Sequence, residues 1–440
     1  MGNKEKPILR FAPSPTGFLH VGSARTALFN YLYAKQNGGE LILRIEDTDK
    51  ERSKPEFEKN IIDGLKWLGI SFNQTFKQSE RGEIYKKYLN QMIEDGTAYI
   101  SKETEGKSSE VIRFKNPNKK IKFNDLIRGD IEFDTTELGD FVIAKDLDTP
   151  LYHLAVVVDD FDMGVTHILR GDDGISNTPR QILLQEALNA PRPQYGHIPL
   201  ILASDRSKLS KRHGAVSITE YENQGYLSEA MINFLAMIGW NPGDDREILS
   251  IDDLIKDFKI EKVQKGGAIF NVEKLNWINK EYLKLLDEKD IFENIKKELP
   301  ELDDVILKKL TPVILERINK WNDIRNLKEE GEFDWILKDL DYPKEKLLWK
   351  EEKDFLVTKE NIDKVVELLQ KISSDKFNNE SIKNAVWEYA EEKGRGNILW
   401  PMRYALSGRD RSPDPFTLAS VLGKDETINR LTKASSKLNA

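Results

Sequence analysis

Two short stretches, far apart in the chain, carry the residue types that handle phosphate. The first, Pro13-Ser14-Pro15-Thr16-Gly17-Phe18-Leu19-His20-Val21-Gly22-Ser23, lies between a short apolar run, Pro7–Ala12, and a segment of helical periodicity. Gly22 lets a bulky ligand approach the backbone, and the N-terminus of a helix offers unpaired N–H groups to an anion. His20 can donate a hydrogen bond to a phosphate oxygen as charge builds up there. A histidine that merely caps a glycine turn has the same local sequence. The second stretch, Lys208-Leu209-Ser210-Lys211-Arg212-His213-Gly214, gathers cations with Ser and Gly in one loop. That suits a polyphosphate, because positive charge offsets the repulsion among its oxygens. Alone, it reads equally as an exposed basic loop with no ligand.

Such residues need elements to position them. Ala24, Ala27, Leu28, Tyr31 and Leu32 fall on one helical face. This predicts a helix from near Ser23 to the stop signal Asn37-Gly38-Gly39. Leu41–Ile45 then reads as a buried strand running out into Glu46-Asp47-Thr48-Asp49, and strand, helix and strand imply a parallel βαβ unit. Further strands are expected at Phe141–Lys145, Val165–Arg170 and Ile198–Ala203, with a helix at Thr178–Asn189. The pattern is that of an open, doubly wound parallel sheet, which binds ligands at the carboxyl ends of its strands. The charged, Lys- and Asn-rich segment from about Ser101 to Glu137 interrupts it as an insertion with hairpin-like pieces. Beyond Asp205 the periodicity is helical, at Glu229–Ile238, Asp252–Phe258, Val305–Ile318, Asn361–Ile372 and Ser381–Glu392. The expected architecture is an α/β N-terminal half followed by an all-α C-terminal half.

Composition sets the outer bounds. The 440 residues, 39% hydrophobic and 32% charged, suit two to four globular domains with a large wet surface. Cysteine is absent, which removes disulfides, thiolate catalysis and cysteine-ligated zinc. No apolar run reaches the length of a bilayer span, and Met1–Lys6 lacks the apolar stretch of an export signal, so the expected location is the cytoplasm. A net charge of −8 argues against a general nucleic-acid coat but allows one basic face.

The two phosphate-type stretches together resemble the signature sequences of class I aminoacyl-tRNA synthetases, His-x-Gly-His and Lys-Met-Ser-Lys-Ser. Here they read His20-Val21-Gly22-Ser23 and Lys208-Leu209-Ser210-Lys211-Arg212. Both depart at the last position, as bacterial-type glutamyl enzymes commonly do. Arg10–Gly17, Leu43–Asp49, Val157–Asp160, Ser176–Gln181 and Leu235–Trp240 are also similar to that family, in family order. The resemblance, to bacterial-type glutamyl-tRNA synthetases, runs from Arg10 to about Asn279.

It implies a Rossmann-like catalytic domain over residues 1–205, with an acceptor-end-binding insertion at about 101–140. A helical domain with the basic loop and the tRNA stem contacts would occupy 206–300, and an all-helical anticodon-binding region 301–440, split near 373. Its substrates would be L-glutamate, ATP with Mg2+, and tRNA(Glu), and its usual state a monomer. Carried over residue by residue, Arg10, Ala12, Ser14, Glu46, Tyr152 and Arg170 would hold glutamate. The chemistry agrees, since two carboxylates and one ammonium call for arginines and one acidic partner. A structural ion pair between Arg10 and Glu46 is the plainer alternative for those two. Pro13, His20, Gly22, Lys208, Ser210 and Lys211 would hold ATP, and of these His20, Gly22, Lys208 and Lys211 would act in catalysis.

The resemblance has departures. Gly96-Thr97-Ala98-Tyr99-Ile100 continues without the cysteines that hold zinc in many relatives, so no metal site is expected. Gly174 stands where relatives often carry histidine, which would alter the nucleoside end of the pocket. Toward the C-terminus, Lys393–Gly396 and Leu399–Gly408 are similar to the end of bacterial glutamyl enzymes. There Arg395 and Arg403 would meet anticodon bases, unless they simply belong to a solvated helix face. Rival readings are a truncated tRNA-base-modifying relative, a glutaminyl or archaeal-type enzyme with a β-barrel anticodon region, and a non-catalytic tRNA-binding paralogue. Helix beyond about residue 300 argues against the first two, and possession of both signatures against the third.

Overall fold

The computed structural model describes residues 6–102, 110–210, 214, 216–350, 352 and 354–439. They form two compact units, Met1–Tyr282 and Leu283–Ala440.

The first unit opens with β1 (Ile8–Phe11), α1 (Val21–Gln36), β2 (Glu40–Ile45), α2 (Pro55–Trp67) and β3 (Gln74–Lys77). The three strands pair in parallel in the order β1-β2-β3. After α3 (Gly82–Glu94) come β4 (Ala98–Lys102), β5 (Glu110–Phe114), β6 (Lys120–Asp125), β7 (Gly129–Asp134), β8 (Phe141–Asp146) and β9 (Thr149–Pro150). Then α4 (Tyr152–Asp162), β10 (His167–Gly171), α5 (Thr178–Ala187) and β11 (Gln194–Ile198) complete the α/β part. Thr166 N–H donates to the Ile8 carbonyl at 2.9 Å, which lays β10 beside β1. β11 pairs in parallel with β10. The order β3-β2-β1-β10-β11 reverses direction between β1 and β10, where a doubly wound sheet binds its ligands.

Both faces of this sheet are covered. Leu9, Phe11, Leu41, Leu43, Ile45, Leu169 and Ile198 pack with α1 in one core. Ile168 and Tyr195 pack with α3, α4 and α5 in the other. Neighbouring strand residues thus serve opposite cores, as the two-residue period of a strand requires.

Two expected strands differ from the sequence reading. Phe141–Asp146 is a strand, but it pairs antiparallel with β5 and β9 in a separate four-stranded sheet. The last central strand, Gln194–Ile198, begins four residues before its expected span and ends at that span's first residue, with Pro199 following it. Proline has no N–H to give to a ladder, so the apolar run cannot continue there. Ile201–Leu202 forms only a short strand, β12, paired with β13 (Ala268–Ile269). The insertion also reaches further than expected: β6 and β7 form a hairpin, and β6 joins β11 through Tyr195 and Asp125, extending the central sheet.

The last helices of the first unit are α6 (Ile218–Asn223), α7 (Ser228–Met237), α8 (Ile251–Asp257) and α9 (Val272–Leu285), whose last three residues belong to the second unit. Among the described residues the second unit is helical, with α10 (Glu288–Glu298), α11 (Asp304–Arg317), α12 (Asp323–Glu329), α13 (Asp334–Leu337), α14 (Phe355–Gln370), α15 (Asn379–Lys393), α16 (Arg395–Ser407), α17 (Pro415–Leu422) and α18 (Lys424–Lys437). No helix of the described residues is long and apolar enough to cross a membrane.

Candidate active site

A cleft of about 360 Å³ opens at the carboxyl ends of β1, β2, β10 and β11. Strand alternation supplies its charged floor. Leu9 and Phe11 belong to the α1 core, which leaves Arg10 on the other face; Leu43 and Ile45 do the same for Arg44 and Glu46. There α4 meets them with Asp159 and Asp160. The Arg44 guanidinium is fully buried and donates to Asp160 Oδ1 at 2.6 Å and to Glu46 Oε1 at 3.0 Å. Arg10 Nε donates to the same Asp160 oxygen at 3.2 Å. Asp159 accepts from Gln78 at 2.8 Å, Arg81 at 2.7 Å and Tyr85 at 2.9 Å.

Alternating charges therefore run from α3 to the cleft. Burial opposes the charge on Arg44, but Asp160, Glu46 and Asp159 outweigh it and raise its pKa. Burial likewise works against the Asp160 carboxylate, and Arg44 and Arg10 hold it below its usual range. On Glu46 burial wins and raises the pKa, against the pull of Arg44. Among these residues Glu46 pairs with Arg44, and Arg10 with Asp160. The simple Arg10–Glu46 pair is replaced because the β1–β2 register sets Arg10 opposite Ile42.

His20 is the N-cap of α1. Its Nδ1 accepts from the N–H groups of Gly22 at 3.1 Å and Ser23 at 3.2 Å, and Nε2 lies 3.0 Å from Ser23 Oγ. Capping requires a bare Nδ1, so the proton sits on Nε2. Removal from water in the cleft, then the nearby Lys208, lowers the His20 pKa. Gly22 has a steric role here, since a Cβ on it would lie 3.1 Å from the His20 ring. The basic loop is anchored at both ends. Leu202 bridges to Lys208, and His20 to Ser217, with Val21 N–H donating to the Val216 carbonyl at 2.9 Å. Lys208 lines the cleft beside His20. Ser210 is half-buried and is not among the lining residues; Lys211 lies outside the described residues.

Arg10, Ala12, Pro13, Ser14, His20, Gly22, Glu46, Tyr152, Arg170 and Lys208 all line this one cleft. Tyr152 opens α4 with its ring 41% exposed. Gly174 lies against Arg170, and a Cβ there would sit 2.5 Å from Arg170 Nε. Gly174→Ala is therefore expected to displace the guanidinium and to weaken about tenfold the binding of a carboxylate ligand in this cleft, the loss of one charged hydrogen bond. An unchanged affinity for such a ligand would show that Arg170 has slack.

The relatives decide what this cleft belongs to. Residues 8–110 and 100–277 match the family described as tRNA synthetases class I (E and Q), catalytic domain, and residues 280–435 match the anticodon binding domain family. Glutamate–tRNA ligase 2 of Caldicellulosiruptor saccharolyticus is 38% identical over 98% of each chain. The chain belongs to the glutamate–tRNA ligase family of class I tRNA synthetases. The enzyme is also 38% identical to the glutamate–tRNA ligase of Thermodesulfovibrio yellowstonii, across 97% of this chain and 98% of that one. A glutamate tRNA ligase from Elizabethkingia meningosepticum, solved in complex with its amino acid, superposes with a TM-score of 0.86 at 34% identity, covering 99% of this chain and all of that one.

In the second unit, Arg395 opens α16, pairs with Glu391 at 2.7 Å and lies 4.7 Å over the Trp387 ring. Arg403 lies 4.8 Å over Trp400 and donates to the Asp410 carbonyl at 2.9 Å. Sequence reasoning gave no role to Arg44, Asp159 or Asp160. The available signal was two adjacent aspartates at the end of the apolar helical run Ala155–Val158, which are buried only if partnered.

His20, His153, His167 and His197 all have lowered pKa values, each chiefly through burial; that of His153 falls to about 4, helped by Arg180 and Arg170. A depressed histidine stabilises the fold fully above its unfolded value of about 6.5, and that contribution drains away as pH falls toward the folded value. The urea midpoint is accordingly expected to drop between pH 6.5 and 4.5, and less steeply in His153→Phe. Identical pH slopes for the two proteins would contradict a neutral, half-buried His153.

Proposed function

We propose that this cleft joins L-glutamate to ATP, supplied as its magnesium complex, and passes the glutamyl group to the 3′-terminal ribose of tRNA(Glu). The observation that carries the reading is the convergence of two residue sets in one cleft of this family's fold. One is a phosphate set, His20, Gly22 and Lys208, and the other a carboxylate-and-ammonium set, Arg10, Glu46, Tyr152 and Arg170. Arg10 and Arg170 grip the carboxylates of glutamate with Ala12 and Ser14 beside them, and Glu46 takes the ammonium. Pro13, His20, Gly22, Lys208, Ser210 and Lys211 surround ATP.

A glutamate carboxylate oxygen attacks the α-phosphorus, the bond to the bridging oxygen breaks, and pyrophosphate leaves with the electron pair. His20 Nε2–H and the lysines steady the charge that develops on the phosphate oxygens. The 2′-hydroxyl of the terminal ribose then attacks the acyl carbon, and AMP departs. Positioning and charge stabilisation do the work, so no protein nucleophile is required.

Residues 1–205 act as the catalytic domain, 206–300 bring the basic loop and tRNA stem contacts, and 301–440, split near 373, bind the anticodon through groups such as Arg395 and Arg403. The enzyme acts as a monomer in the cytoplasm. ATP–pyrophosphate exchange, measured with each amino acid and with tRNA present, tests the assignment. Exchange dependent on glutamate is the expected result, and exchange that prefers another amino acid overturns it.

A further inference from the structure

Arg170 is held by a chain of hydrogen bonds that begins on the inserted hairpin. It lies directly opposite His197 in the β10–β11 register, so both side chains share one face of the sheet. Its Nε–H donates to His197 Nε2 at 3.2 Å, and Nη2 donates to Thr178 Oγ1 at 2.7 Å. The guanidinium also lies 5.9 Å over the ring of Tyr195. His197 is fully buried, and its Nδ1 lies 2.6 Å from Oδ2 of Asp125, the last residue of β6, which is itself 2% exposed. The other Asp125 oxygen, Oδ1, accepts backbone N–H groups from Ile127 at 2.9 Å, Arg128 at 2.8 Å and His197 at 3.3 Å.

The protons follow from these contacts. Asp125 presents only acceptors, so Nδ1 of His197 must carry the ring proton. Nε2 is then bare and accepts Arg170 Nε–H. With Nε and Nη2 engaged, the remaining nitrogen, Nη1, is buried, has no hydrogen-bond partner among the described residues and belongs to a residue that lines the cleft. A carboxylate bound in the cleft can complete such a nitrogen.

We propose that Asp125 and His197 are positioning residues: they fix the imidazole tautomer that locks Arg170 with Nη1 presented to a carboxylate of the substrate. The inference rests on the reading of this cleft as the glutamate site. It gives the inserted hairpin a part in amino-acid recognition through Asp125.

Asp125→Asn tests this with little change of shape. The three backbone donors demand an oxygen at the Oδ1 position, so the new NH2 must face His197 Nδ1. The ring proton then moves to Nε2, where it confronts Arg170 Nε–H and competes with Arg170 Nη2 for Thr178 Oγ1, 3.2 Å away. The expected result is a KM for glutamate raised about 10- to 100-fold, since a charged hydrogen bond is lost or misaligned. The KM for ATP and the thermal midpoint should change little, and ¹⁵N NMR of labelled histidine should report the tautomer change. A flipped tautomer with an unchanged KM for glutamate would overturn the proposal, and so would equal rises for glutamate and ATP.

Thr178→Val removes the Nη2 acceptor, together with the 3.2 Å contact of the same oxygen with His197 Nε2, and Thr178→Ser restores both. If Asp125→Asn does not fold, a raised KM for glutamate in the valine variant alone supports a locked Arg170, and wild-type behaviour of both sinks it. A wild-type enzyme that activates no glutamate would instead sink the parent reading.

Discussion

Asparagine in place of His20 is expected to slow adenylate formation by about 10²- to 10³-fold, the usual loss when one preorganised donor to a developing charge is removed. The two ring nitrogens have separate jobs. Nδ1 caps α1 by accepting from Gly22 and Ser23, while Nε2–H, 3.0 Å from Ser23 Oγ, is the donor that phosphate oxygens would draw on. Asparagine is a good N-cap and has no counterpart to Nε2, so it keeps the first function and deletes the second. Alanine deletes both and should add about 1 kcal/mol of destabilisation. Single-turnover measurement of adenylate, with thermal melts of both variants, separates the effects. A near-normal rate in His20→Asn would confine the residue to capping. Lys211→Ala is expected to resemble His20→Asn in rate and the wild type in stability.

The second large effect concerns stability. Asp160→Ala should cost about 3–5 kcal/mol, because it strips a shared carboxylate from two buried arginines. Arg44 donates to it at 2.6 Å and Arg10 at 3.2 Å, and both guanidiniums are almost wholly removed from water. Removing one member of a buried charge network costs far more than the network contributes net, since the stranded charge stays desolvated. For the first unit, Met1–Tyr282, the melting midpoint should fall by roughly 5–8 °C. Binding of glutamate should weaken as well, because Arg10 and, through Arg44, Glu46 lose their anchor. A midpoint within about 2 °C of wild type would mean that solvent reaches the network and screens it.

Much of this site was legible in the sequence because its residues sit in contiguous stretches. Pro13–Ser23 and the loop from Lys208 each carry a recognisable chemistry, and an apolar strand on either side of a helical face is enough to place them at strand ends. Pairing partners were less legible. Phe141–Asp146 looks like any buried strand, and only the fold of the insertion gives it to β5 instead of the central sheet. Gln194–Ile198 contains Gln, Gly and His, so its central place was hidden while the apolar run after Pro199 drew attention. The buried charge network was opaque for a related reason. Arg44 and Asp160 are 116 residues apart, and nothing local shows that α4 brings its aspartates onto the polar faces of β1 and β2. The chain from Asp125 through His197 to Arg170 is set by strand register, which composition and periodicity do not reveal.

The most direct test of the account is attachment of labelled glutamate to the 3′ end of total tRNA, with ATP and magnesium, by the purified protein. Stable charging that disappears on periodate oxidation of the terminal ribose is the predicted result. Activation of glutamate without charging of the 3′ end, or no activation at all, would contradict it.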